Sequence, residues 1–249
     1  MARLTRRAVL LGGAAALLVP ARPAAAAPFA PAGPASPGSL GPAGPASAAS
    51  LGLAGPASSL VPGGLAATVE QPEIASCGAW GARPPSGALT IDQHRPNKIV
   101  VHHTALANST DYSQAHAFAS SRDIQNLHMD TNHWIDSGQH FTNSRGGWLT
   151  EGRHGSLYAL LHGQTMVQGA HCVGQNDQAI GIENEGTYLT VQPPAALWNS
   201  LVDFCAFACH QYAIPATEIY GHKDFNTTEC PGLLHDRLPE LRAAVAARL

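Results

Sequence analysis

Residues 98–104 read KIVVHHT: three β-branched residues in a row, two histidines, and then a threonine that opens a loop. A run this short and apolar reads as a strand buried on both faces rather than as a helix. Alternation along such a strand sends His102 and His103 to opposite sides, so only one of them can face a site at the strand's end. Alternation alone does not say which.

Further segments fall into place around this strand. HFTNSRGGWLTEG, 140–152, reads as a hairpin with its turn at Asn143 to Gly147, and AIGIENEG, Ala179 to Gly186, and EIYGHKD, Glu218 to Asp224, read as further strands. In AALWNSLVDFCAFACHQY, 195–212, apolar residues recur at three-and-four spacing after Pro193-Pro194, which predicts a helix. A second helix is expected from about Ser113 to Met129, and a third starting near Pro239. Strands alternating with helices predict an α/β fold: a single domain with a mixed central β-sheet flanked by helices.

The first quarter of the 249 residues is of another kind. Residues 1–27 carry Arg3, Arg6 and Arg7, a short apolar run and small residues resembling a cleavage site, which predicts an export signal. The Arg6-Arg7 pair gives it a twin-arginine-like look, although paired basic residues also occur in general secretory signals. Residues 28–72 are rich in Ala, Pro, Gly and Ser, with GPAS recurring at Gly33, Gly44 and Gly55. Such a stretch cannot bury enough surface to offset its chain entropy, and it reads as a flexible tether. The folded domain is then 73–249, long enough to bury about 70% of its extended-chain surface. A net charge of -3 without a downstream basic block argues against nucleic acid. No later apolar stretch is long enough to span a membrane; the export signal makes a secreted or wall-associated chain the expectation, with monomer as the default state.

The chain holds 13 histidines against 17 acidic residues, and one of them, His222, is the second residue of GHKDFNTTECPG, 221–232. Here His222 and Cys230 are joined by a loop that lets both face one point. A catalytic zinc site uses three protein ligands and one open position, and it mixes imidazole with thiolate. The third ligand is expected from the histidine pair of VVHHTA. A closed structural site would need a fourth ligand, usually in close pairs, and no such pair is present.

VVHHTA, GAHCVGQND, AIGIENEG and YGHKDFNTTECPG, in this order and over nearly all of 73–249, resemble the type 2 N-acetylmuramoyl-L-alanine amidases and peptidoglycan recognition proteins. The resemblance implies a groove holding Zn2+ on His102, His222 and Cys230, with His103 as a packing residue. It implies hydrolysis of the amide between N-acetylmuramic acid and L-alanine in peptidoglycan, with Glu183 as the base beside the metal. Glu185 shares that strand face, so the choice between the two carboxylates rests on the motif. Thr228 matches a position near the developing oxyanion, and His171 matches a groove histidine that contacts sugar or peptide. Asn176 and Trp134 are expected in the same groove. Gln139 stands where many members have a tyrosine; an amide transfers no proton at neutral pH but can hydrogen-bond substrate. The alternative expectation is a non-catalytic peptidoglycan-binding recognition module. Members of that kind lack the cysteine ligand, whereas Cys230 is present. Arg145, Arg153 or Lys223 could read the carboxylates of a stem peptide.

Cys77, Cys172, Cys205 and Cys209 form an even set in a chain expected to be exported, so two disulfides are expected. Cys205 and Cys209 lie one helical turn apart, and each is expected to reach Cys77 or Cys172 rather than its neighbour.

Overall fold

The computed structural model describes residues 69–249; the expected signal and nearly all of the expected tether lie outside the described residues. Val69, four residues ahead of the expected domain boundary, already packs on the core. The chain then runs β1 (Ile74–Ala75), α1 (Cys77–Trp80), β2 (Ile91–Asp92), β3 (Lys98–His103), α2 (Gln114–Asn126), β4 (Phe141–Asn143) and β5 (Leu149–Glu151). It continues with α3 (Ser156–His162), β6 (Met166–Val167), β7 (Ala179–Asn184), α4 (Ala195–Tyr212), β8 (Ile219–Gly221), α5 (Leu233–Asp236) and α6 (Leu238–Ala246).

Six strands form one mixed sheet in the order β1-β5-β4-β7-β3-β8, in which only the β4–β5 hairpin is antiparallel. β2 and β6 form a separate antiparallel pair. β3 sits between β7 and β8, as a β-branched run buried on both faces should. Its register against β7 pairs Val100 with Gly181 and His102 with Glu183. Residues paired across neighbouring strands point to the same side, so these four share one face.

The opposite face carries Ile99, Val101, Phe141, Ile180 and Ile182, which form one core with Leu201, Phe204 and Ala208 of α4 and with Leu241 of α6. α4 is buried almost all round, as its eleven buried residues require. On the other face, the front, α2 lies over the β5 side: Ser121 Oγ and Thr150 Oγ1 are 2.8 Å apart, and Thr150 pairs with Thr142, itself paired with Glu183. The β3–β7 side of the front is left open.

Two local expectations are corrected. The strand expected over Glu218 to Asp224 stops at Gly221, because Asp224 Oδ2 accepts the Gly221 N–H at 2.8 Å and curls His222–Asp224 into a 3-10 turn. The two expected disulfides do not form; all five cysteines are free thiols. Cys77 Sγ lies 3.5 Å from the Gly152 carbonyl and Cys172 Sγ lies 3.3 Å from Asn226 Oδ1, while Cys205 and Cys209 are packed into the core from α4.

Candidate metal centre

The open part of the front face is a groove of about 650 Å³. His102 reaches it from the end of β3, His222 from the first residue after β8, and Cys230 from the loop that follows. Their ligating atoms all lie within 4.8 Å of one another. Two imidazoles and a thiol converging this closely, in a groove that leaves one side open, form a trio that could hold a metal ion. A larger cleft of about 780 Å³ runs past Trp148, Asp203 and Arg248, but it shares no residue with the groove and gathers no histidine or cysteine.

The loop geometry explains why Pro-Gly follows the cysteine. Gly232 has φ of +65°, and a side chain there would meet the Tyr188 carbonyl oxygen at 2.4 Å. The chain thus turns under Tyr188 at once, and the Leu233 N–H donates to the same carbonyl. Upstream, Thr228 Oγ1 accepts the Cys230 N–H at 3.2 Å and pins the approach to the cysteine.

His103 has the packing position that alternation reserves for one of the pair. Its ring Nδ1 accepts the Tyr188 N–H at 3.3 Å, and its own backbone N–H donates to Cys230 Sγ at 3.3 Å. Burial lowers the pKa of His102 far below the ordinary imidazole value and also lowers that of His222, which keeps both in the neutral form that a metal requires. Burial pushes the Cys230 thiol up to about 12, so the free protein carries a thiol that a cation would have to deprotonate.

Glu183 stands beside His102 in the groove wall, and burial raises its carboxyl to about 7. A cation in the groove would draw that value back down. Glu185 is separated from it: β7 ends at Asn184, and the Glu185 carboxylate takes the His116 ring at 2.7 Å and the Arg145 N–H at 2.9 Å. The motif's choice of Glu183 is therefore also the choice that leaves a carboxylate free of partners in the groove.

Trp134 and Thr228 line the groove. Three residues expected to contact substrate have their side-chain polar atoms engaged within the protein. Gln139 is 1% exposed and its Nε2 donates to Thr142 Oγ1 at 2.9 Å, outside the groove lining. Asn176 turns inward and its Oδ1 accepts the backbone N–H groups of His171 and Cys172 at 2.8 and 2.9 Å, which folds their loop. His171 reaches the groove, but Nδ1 is bonded to His102 Nε2 at 3.0 Å and Nε2 to the Ala179 carbonyl at 3.3 Å, leaving no ring nitrogen for a ligand. None of the three suggested cationic readers lines the groove. Arg153 donates to the Ser137 carbonyl in the interior, and Arg145 holds the Ser109 carbonyl.

The sequence reading missed Asn226, whose Oδ1 lies 3.1 Å from His222 Nε2. No spacing signal marked it, because the segment reads as strand to Asp224; the pair meets through the turn in which the Asn226 N–H donates to the His222 carbonyl at 3.1 Å.

The fold and this centre define an α/β protein with an open groove whose His/His/Cys trio could hold a metal ion. Residues 92–233, more than half of the chain, match the family described as N-acetylmuramoyl-L-alanine amidase, and the chain belongs to that family. It is 30% identical over 154 residues to peptidoglycan-recognition protein LB of Drosophila melanogaster, covering 61% of this chain and 61% of that protein. It is 30% identical over 177 residues to human N-acetylmuramoyl-L-alanine amidase, covering 68% of this chain but only 29% of that protein. A solved mutant of Drosophila PGRP-LB in complex with tracheal cytotoxin superposes with a TM-score of 0.56 at 29% identity, over 64% of this chain and 88% of that one.

Proposed function

We propose that this chain is an exported zinc amidase that hydrolyses the bond between the lactyl group of N-acetylmuramic acid and the first L-alanine of the peptidoglycan stem. The observation that carries this reading is the meeting of His102, His222 and Cys230 in an open groove with the unpartnered carboxylate of Glu183 in its wall. The names of the human and Drosophila relatives support the same substrate class.

Zinc held by these three residues supplies Lewis acidity toward the scissile carbonyl and lowers the pKa of the attacking water. Cys230 serves as thiolate, a form favoured by the His103 N–H aimed at its sulfur. Glu183, a carboxylate without a hydrogen-bond partner in the groove wall, takes a proton from the water as it attacks and returns it to the leaving L-alanine amine. The Thr228 oxygen already accepts the Cys230 N–H, so its own hydroxyl proton is free to donate to the oxyanion. Trp134 offers an aromatic wall to the sugar. With Gln139 buried away from the groove, proton transfer falls to Glu183 alone. Residues 1–27 direct export and 28–72 tether the domain, which acts as a monomer at the wall.

The test is to incubate the full-length chain with purified cell wall and count new L-alanine amino ends. Ends that appear, vanish with chelator and return with zinc are the expected result. Tight binding to the wall without new ends would replace the enzyme with a recognition module.

A further inference from the structure

We propose that His171 and Asn226 are positioning residues: each takes the outer N–H of one metal-binding histidine, so that His102 and His222 both present Nδ1 to the ion. The inference rests on the metal site proposed above and assigns its tautomers.

On the His102 side, the order of protons follows from a carbonyl. The Ala179 oxygen can only accept, so His171 Nε2 carries a proton and donates it at 3.3 Å. The lone pair of that ring is then on Nδ1, where it accepts from His102 Nε2 at 3.0 Å. His102 is left with a bare Nδ1, and this is the nitrogen 3.7 Å from Cys230 Sγ. On the His222 side, the Asn226 amide has its orientation fixed by two carbonyls. Nδ2 donates to Phe225 O at 3.0 Å and to Val173 O at 3.3 Å, so Oδ1 must face the ring and accept from His222 Nε2 at 3.1 Å. Two unrelated networks thus reach the same result. A ligand histidine whose second nitrogen is held in this way has its ring plane and tautomer set before metal arrives.

The sheet has been hollowed to admit His171. An added Cβ at Gly181, in the middle of β7, would lie 2.5 to 2.6 Å from three atoms of the His171 ring, and one at Gly169 would lie 2.7 Å from Cδ2. Gly181 has an ordinary strand conformation, so its lack of a side chain serves this contact. The glycine of AIGIEN is therefore the socket of a ring that orients a ligand on the neighbouring strand.

The experiment measures zinc affinity of the full-length chain by competition with a chromophoric chelator, together with the visible absorption of the cobalt(II)-substituted protein. Gly181→Ala, His171→Ala and Asn226→Leu are each expected to weaken zinc by about 10–100-fold and to shift the cobalt bands. His171→Asn and Asn226→Asp keep an acceptor near the original one and are expected to restore most of the loss. Gly181→Ala added to His171→Ala is expected to change little further, because the ring it displaces is gone. Folded variants with wild-type zinc affinity and cobalt spectra would overturn the proposal. If Gly181→Ala fails to fold, the two His171 variants decide the His102 side and the two Asn226 variants decide the His222 side. A wild-type chain that binds no zinc at all would instead remove the function proposed above, and this assignment with it.

Discussion

The two faces of the six-stranded sheet are built from alternate residues of the same strands, yet they answer to different constraints. Behind, Ile99, Val101, Ile180 and Ile182 meet α4 in a core where shape and apolar area decide everything. In front, one residue further along each strand, His102 and Glu183 meet a loop, and the hydrogen-bond partner of each polar atom decides what the site can do. The same strand thus fixes stability with one set of side chains and presents chemistry with the other.

The division between the faces can be challenged from both. The largest effect is expected in front: Glu183→Gln should lower turnover by about 10²–10⁴-fold while leaving the unfolding midpoint nearly unchanged. A variant that loses activity only because it unfolds would erase the distinction between the faces. Behind, Phe204→Ala should cost about 3–5 kcal/mol in denaturant unfolding, with zinc affinity preserved in whatever fraction remains folded. Loss of zinc from the folded fraction would mean that the two faces are not separable.

A smaller effect comes from two buried histidines that hold the polar side together. Burial pulls His128 and His140 down to about 4, and each accepts a backbone N–H, from Gly138 and Gly181 respectively. The unfolded chain takes up these protons near the ordinary value, so the stability they confer is whole above about pH 6.5 and is lost progressively as pH falls toward 4. Each accounts for up to about 3 kcal/mol. Urea midpoints should therefore fall between about pH 7 and pH 5 in zinc-free protein; a flat profile would show that these rings are not held neutral. The smallest effect is none at all. Reductant should leave the melting midpoint unmoved and five thiols should titrate under denaturing, non-reducing conditions, whereas loss of a native bridge would cost about 2–5 kcal/mol.

How much the sequence reveals follows the same division. The period of the apolar residues marks β3, β7, the hairpin and α4, because burial behind the sheet imposes it directly. The three residues that could hold a metal are legible in front because a metal would restrict residue types and loop spacing so tightly. What is not legible depends on register between segments far apart in the chain. That β1 pairs in parallel with β5 is invisible in two residues. That the His171 ring, within the groove, has both nitrogens engaged depends on the register of β7, which sets Gly181 under it, and Gln139 reads as a groove residue until the hairpin turns its amide onto Thr142. The cysteines share a parity that suggests bridges, but helix α4 commits two of them to the core.

If one trio on the front face both holds the ion and makes the chain a hydrolase, metal and activity must stand or fall together. The deciding measurement is zinc per chain and new L-alanine ends released from cell wall, on the same preparations of wild type and Cys230→Ala. About one zinc and steady release of ends are expected in the wild type, with both lost together in the variant. Ends still released by a zinc-free Cys230→Ala chain, or zinc held by a wild type that releases none, would contradict that role for the trio.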